Sequence, residues 1–174
     1  MTRHRITLDV LKDIAKEQHV TFQPGDILLV RSGWIRWYNE HSPQERVAKV
    51  KNGSEYVGVD GCEEVIEWLW DSHFAAVAGD AIGFEAWPPK LPWCKCTLSR
   101  IIPLIDCASA NAPHDPGLHD FILALWGMPL GELWDLEALA AECEHHKRWS
   151  FFITSSPLNT PGGIASPPNA LAVF

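Results

Sequence analysis

One histidine and two carboxylates stand in this 174-residue sequence where their surroundings suit catalysis: His119, Glu132 and Asp80. His119 opens the apolar run Leu118 to Trp126, and an imidazole titrates near neutral pH, so it can carry a proton to or from a reacting group. A histidine in the first turn of an apolar helix can equally be a structural side chain. Glu132 follows Gly131 at a break between helical stretches, where a carboxylate can point into a cleft and offer a hard oxygen to Zn2+ or Mn2+. A solvated or helix-capping acid is the plainer alternative. Asp80 ends the apolar stretch Phe74 to Gly79, and α/β sheets gather their sites at the C-terminal ends of strands. It can steer His119 or a substrate, or cap the next turn.

The elements that must position these groups read as alternating helix and strand. Thr7 to Gln18 has Leu8, Leu11, Ile14 and Ala15 on one helical face, with Thr7 or Asp9 as cap. Pro24-Gly25 turns the chain into Asp26 to Ser32, an Ile-Leu-Leu-Val run that suits a strand covered on both faces. Trp34 to Lys51 reads as helix interrupted at His41-Ser42-Pro43. Gly61 to Ser72 is a helix with Val65, Ile66, Trp68 and Leu69 inward and Glu63 and Glu64 at its positive end. Phe74 to Gly79 follows as a buried strand, Leu118 to Trp126 and Leu136 to His146 as helices, and Trp149 to Ser155 and Ala170 to Phe174 as strands. This order predicts a single α/β domain over residues 1–174.

Other chemistries are poorly supported. A net charge of -8 without a basic cluster excludes the electrostatic footprint for nucleic acid or an anionic membrane. The N-terminus lacks the apolar core of a signal peptide and no run is long enough to span a bilayer, so a cytoplasmic protein is expected. Cys62, Cys94, Cys96, Cys107 and Cys143 are odd in number and irregularly spaced, which suits reduced thiols rather than a disulfide framework. Cys62 starts a helix whose dipole could activate a thiol, but Glu63 and Glu64 oppose that. Ser155-Ser156 is not in a Gly-x-Ser-x-Gly elbow, and Gly162-Gly163 lacks phosphate-loop spacing. Nine tryptophans can fill a core or form an interface.

Four stretches, LHDFILALWGMPLGELWDLEAL (118–139), PGDILLVRSGW (24–34), Val77-Ala78-Gly79-Asp80 and PLNTPGGIASPPNALAVF (157–174), together resemble the cyclase or kynurenine-formamidase-like family of metal-dependent hydrolases, in its fungal-type branch. The resemblance implies a swivelling β/β/α-type fold, His119 as general acid or base, and Glu132 as a ligand to Zn or Mn. It implies a small-molecule substrate: an amide of the arylformamide type, as in tryptophan catabolism, or a cyclic carbonyl compound. The family carries most of its metal ligands in an upstream His-x-Gly-Thr-His-x-Asp motif. The eight histidines here, at 4, 19, 41, 73, 114, 119, 145 and 146, form no such motif. The expectation is therefore a cyclase-like domain truncated at its N-terminus, binding Zn2+ or Mn2+ weakly or not at all.

Against the family pattern, Lys95 to Gly117 reads as an insertion. It is either a variable loop or a translated intron, since codons for Cys94-Lys95-Cys96 and Ala110-Asn111 can hold donor-like and branch-like sequences. The alternative function is a non-catalytic protein that uses a tryptophan-rich face to bind a partner or to form a homo-oligomer.

Overall fold

The computed structural model describes residues 2–51, 53–89 and 117–174. The chain opens with a short strand, β1 (Arg5–Ile6), and a helix, α1 (Leu8–Glu17), whose first turn is capped by the Thr7 side chain accepting from the Val10 amide. Leu11 and Ala15 are its buried positions. Strand β2 (Ile27–Val30) is less enclosed than its composition predicts: Leu28 is buried, but Ile27 is 39% exposed. Then come α2 (Trp34–Glu40), α3 (Pro43–Arg46) and a π-helical turn, Val47–Lys51. The interruption falls at His41-Ser42-Pro43, where Ser42 and Glu45 make a reciprocal capping box.

Strand β3 (Gly58–Val59) pairs in parallel with β1. Helix α4 (Glu63–Asp71) buries Val65 and Leu69, and β4 (Ala76–Gly79) follows it. Beyond residue 116 the Leu118 helix takes π-helical form over Asp120–Leu125, and β5 (Leu130–Gly131) follows. Helix α5 (Glu137–His146) ends at Lys147 in the left-handed conformation, and β6 (Phe152–Thr154) pairs antiparallel with β7 (Leu171–Val173). Neither the π form nor β1, β3 and β5 follows from the sequence periodicity, because two-residue strands carry too few positions to show one.

The organising sheet is parallel, in the order β2-β4-β5, with Ile27 to Val30 opposite Ala76 to Gly79 and Val77 opposite Leu130. Leu28, Val59, Val65, Leu69, Phe74, Val77, Leu118 and Ile122 form the core around it. This is an α/β architecture, as expected. No helix among the described residues is long and apolar enough to cross a membrane. The segment 95–117 lies outside the described residues except for Gly117, as do Cys94, Cys96, Cys107 and His114.

The turn between β2 and α2 depends on Asp80, which is 0% exposed. One carboxylate oxygen accepts from the Ser32 amide at 2.6 Å and the Ser32 hydroxyl at 2.8 Å, and the other from the Gly33 amide at 2.8 Å. Truncating it leaves two half-buried amides and a hydroxyl without this acceptor, each worth about one to a few kcal/mol. Asp80→Ala is therefore expected to lower unfolding free energy by roughly 3 kcal/mol or more, read from the urea midpoint. A change below about 1 kcal/mol would show that water replaces the carboxylate.

Candidate active site

Three parallel strands end side by side, and the chemistry collects at that edge. From β2 the chain passes through Ser32 and Gly33 to Trp34, from β4 it passes to Asp80, and from β5 to Glu132. Glu132 thus lies in the break between two helices, as expected, and leaves the end of a short strand there. Its loop is fixed over β4 by the Leu133 amide donating to the Ala81 carbonyl and the Trp134 amide to the Gly79 carbonyl, both at 3.1 Å. Among the described residues Asp80 bonds the 32–33 turn and not His119, so it shapes the edge beside the histidine.

The residue that faces His119 is one the sequence reading passed over, Glu85. Residues 84 to 86 lie alongside β3: the Val59 amide donates to the Phe84 carbonyl and the Ala86 amide to the Val59 carbonyl, both at 2.9 Å. This pairing demands close approach, since a Cβ on Gly58 would sit 2.2 Å from the Glu85 carbonyl carbon. The Glu85 side chain is then driven inward and is 3% exposed. One of its oxygens bonds the His119 ring at Nδ1, and the other accepts from the His119 backbone amide at 3.3 Å. Gly117 makes room for this, because a Cβ there would meet that second oxygen at 2.4 Å. The far ring nitrogen, Nε2, lies 2.8 Å from a Glu132 oxygen. The result is a line, Glu85–His119–Glu132, running from the interior to the half-exposed edge. An isolated acid between Phe84 and Ala86 was the available signal for Glu85, since glutamate is rarely buried without a partner.

Two carboxylates on one imidazole stabilise its protonated form. The hydrogen bond to Glu85 contributes most, burial works against it, and the Glu85 charge and the Glu132 bond and charge add to the rise, so His119 is pushed up to about 9. Cys62 shows the opposite fate for a candidate nucleophile. Burial chiefly, with Glu64 and Asp60 adding, raises its thiol to about 11 despite a bond from the Val65 amide, so it is held protonated.

Glu132 also borders an open cleft of about 560 Å³, whose other lining includes Trp134 and Asp135 on one side and Ser166 and Pro168 on the other. Buried Trp34, stacked on Tyr38 at 5.3 Å between ring centres, has an indole N–H with no partner among the described residues. For a divalent metal, His119 Nε2 and Glu132 supply two donors of the right chemistry. Among the described residues no group of three or more histidine, cysteine, aspartate or glutamate side chains is arranged to hold an ion. A catalytic zinc ordinarily takes three protein ligands, so these residues do not by themselves complete such a site.

Residues 2–86 match the model of the "Putative cyclase" family. The chain is also similar to a solved crystal structure of a novel cyclase, with 27% sequence identity and a TM-score of 0.74. That match covers 99% of this chain and 48% of the other, so the chain spans about half the length of its relative. It shows the α/β fold of that cyclase. No curated protein matches the chain.

With metal chelated, His119 should titrate near 9 rather than 6.5, and Glu85→Gln should bring it down. A raised folded value means that its stabilising contribution is complete below about 6.5 and is lost as pH rises through about 9. NMR titration of the histidine ring resonances reads this, and a His119 already neutral at pH 7 with Glu85 intact would contradict it.

Proposed function

We propose that the chain is a cyclase-like, metal-dependent hydrolase of small amides of the arylformamide type or of small cyclic carbonyl compounds, with His119 moving the proton and Glu132 as a metal ligand. The carrying observation is the buried Glu85 behind His119: a carboxylate on Nδ1 fixes the ring orientation and leaves Nε2 as the atom that acts at the edge. The match of residues 2–86 to a cyclase family and the likeness to a solved cyclase support the same reading.

In this reading Nε2 protonates the leaving nitrogen of an amide, or the ring heteroatom of a cyclic carbonyl substrate, lying in the cleft beside Trp134. With Nε2 carrying the proton, Glu132 is the one metal donor left at this edge among the described residues, so the remaining ligands come from elsewhere, and full activity belongs to the assembled site. The alternative of a tryptophan-rich binding face finds less support. Among the described residues only Trp70 and Trp87 are exposed, and the other tryptophans are buried or half-buried.

The test is hydrolysis of an aryl formamide with added Zn2+ or Mn2+, beside metal titration by calorimetry. His119→Ala should lower kcat by about 10²-fold or more, the usual scale for a lost general acid or base. Glu132→Gln should first weaken metal binding, because it removes a charged donor at nearly constant shape. Absence of turnover with either metal, together with metal binding that ignores the Glu132 change, would overturn the proposal.

A further inference from the structure

The cleft beside Glu132 has an aromatic wall, Trp134, and the sequence beneath it is fitted to hold that wall still. A Cβ on Gly131 would sit 2.5 Å from Nε1 and 2.8 Å from Cε2 of the Trp134 ring, so the indole lies directly on the β5 backbone, at a distance that only glycine permits. The same Cβ would meet that of Ala78 at 2.8 Å, so small side chains on both β4 and β5 make the seat. The Trp134 amide, bonded to the Gly79 carbonyl, fixes the backbone of the residue as well.

Another wall comes from Ser166, Pro167 and Pro168, and it is fixed too. The Pro168 carbonyl accepts from the Ser155 hydroxyl at 2.8 Å and the Ser156 amide at 3.0 Å. The Ser166 hydroxyl accepts from the Leu158 amide at 2.8 Å and donates to the Pro167 carbonyl at 3.3 Å. An indole and two proline rings thus bound a space of about 560 Å³, within the usual range of small-molecule sites. Among the described residues Glu132 and Asp135 are the ionisable groups that line it, with no lysine, arginine or histidine. Arg31 does not offset them, since Glu137 engages its guanidinium at 2.8 and 2.7 Å.

We propose that this cleft binds an aryl ring on the Trp134 indole, and that Asp135 restricts the ring to neutral or cationic substituents. The proposal rests on the hydrolase reading for one step only: the ring is then the aryl group of the amide whose nitrogen His119 protonates. An aromatic ring stacks on an indole face in offset geometry, and a cation near that face is drawn to the negative side of its quadrupole. Both carboxylates add to that attraction, and both repel an anion. An aryl amide carrying an ammonium substituent is therefore favoured over its uncharged analogue, and either over one carrying a carboxylate. Trp134 is a specificity-determining residue in this arrangement, and Asp135 acts on the substituent rather than on the reacting bond.

The test titrates the full chain, dialysed free of metal, with benzylammonium, benzyl alcohol and benzoate while the indole N–H resonances are followed by NMR. The Trp134 signal, identified by its absence in Trp134→Phe, should move at the lowest concentration with benzylammonium, then with benzyl alcohol, and last with benzoate. Asp135→Asn keeps an acceptor for the Glu137 amide, which Asp135 binds at 3.2 Å, so the fold should survive. It should narrow the ratio of benzylammonium to benzoate affinity by about threefold or more, the scale of a partly exposed charge pair. Trp134→Ala should weaken benzylammonium about tenfold, read from the backbone amides of residues 133 and 135, and Trp134→Phe, which keeps a ring, should weaken it less. The proposal is overturned by a Trp134 signal that none of the probes moves, by benzoate binding as tightly as benzylammonium, or by an affinity ratio unchanged in Asp135→Asn. Because binding needs no turnover, a chain that ranks the probes as expected yet leaves formanilide intact with Zn2+ or Mn2+ supports the ring site and sinks the hydrolase reading alone.

Discussion

Burial of the Glu85 carboxylate is the constraint around which the candidate site is built. A carboxylate withdrawn from water is costly unless it is hydrogen-bonded and paired, and here the imidazole and the backbone amide of His119 provide both. The surrounding sequence is fitted to that arrangement. Gly58 lets the Glu85 backbone lie against β3, and Gly117 leaves room for the side-chain oxygen beneath the start of the His119 helix. The orientation of the imidazole is thus set by backbone contacts on both of its sides, and a side chain added at either glycine displaces the pair.

A second buried carboxylate works at the same edge with a different partner set. Asp80 is satisfied by two amides and a hydroxyl of the 32–33 turn, so it needs no cation. Its role is geometric: it ties the end of β2 to the end of β4. The Arg31–Glu137 pair adds a bridge from β2 to α5 at 2.7 Å, and the 133–134 amides fasten the Glu132 loop to β4. Glu132 is thus braced to the β2-β4-β5 sheet, while His119 is held by Glu85 beside β3, and the two groups meet from opposite anchors, which is what a site needs to hold its groups in place.

The long elements could be read from the sequence because they repeat a period. Helices α1 and α4 show apolar residues three and four apart, and β2 and β4 are short apolar runs bounded by Gly, Asp or Pro. His119 and Glu132 could be singled out by type and context, and the structure brings them within 2.8 Å. What escaped was the part with no local signal. Glu85 is placed by pairing with Val59, a contact between residues far apart in sequence, and β1, β3 and β5 are two residues each. The exposed end of β2 was also missed, because an Ile-Leu-Leu-Val run does not reveal that its sheet has an open side. The tryptophans left two readings open for a related reason: the sequence counts rings, but only packing decides which of them face solvent.

The three groups in line also carry an electrostatic argument about what the site accepts. Two carboxylates around one imidazolium leave a net charge of about -1, while the same trio with a neutral imidazole is at about -2 and balances a dication. With His119 held up to about 9, the trio stands at about -1 at neutral pH, and a dication approaching this edge would compete with the imidazole proton. Glu85 adds its negative charge from behind the imidazole, while Glu132 presents its carboxylate at the edge. A buried carboxylate that binds no ligand itself thus governs the charge of the imidazole at the edge, while the wall opposite Glu132, built from residues 165–168 and 170, adds no charge of its own.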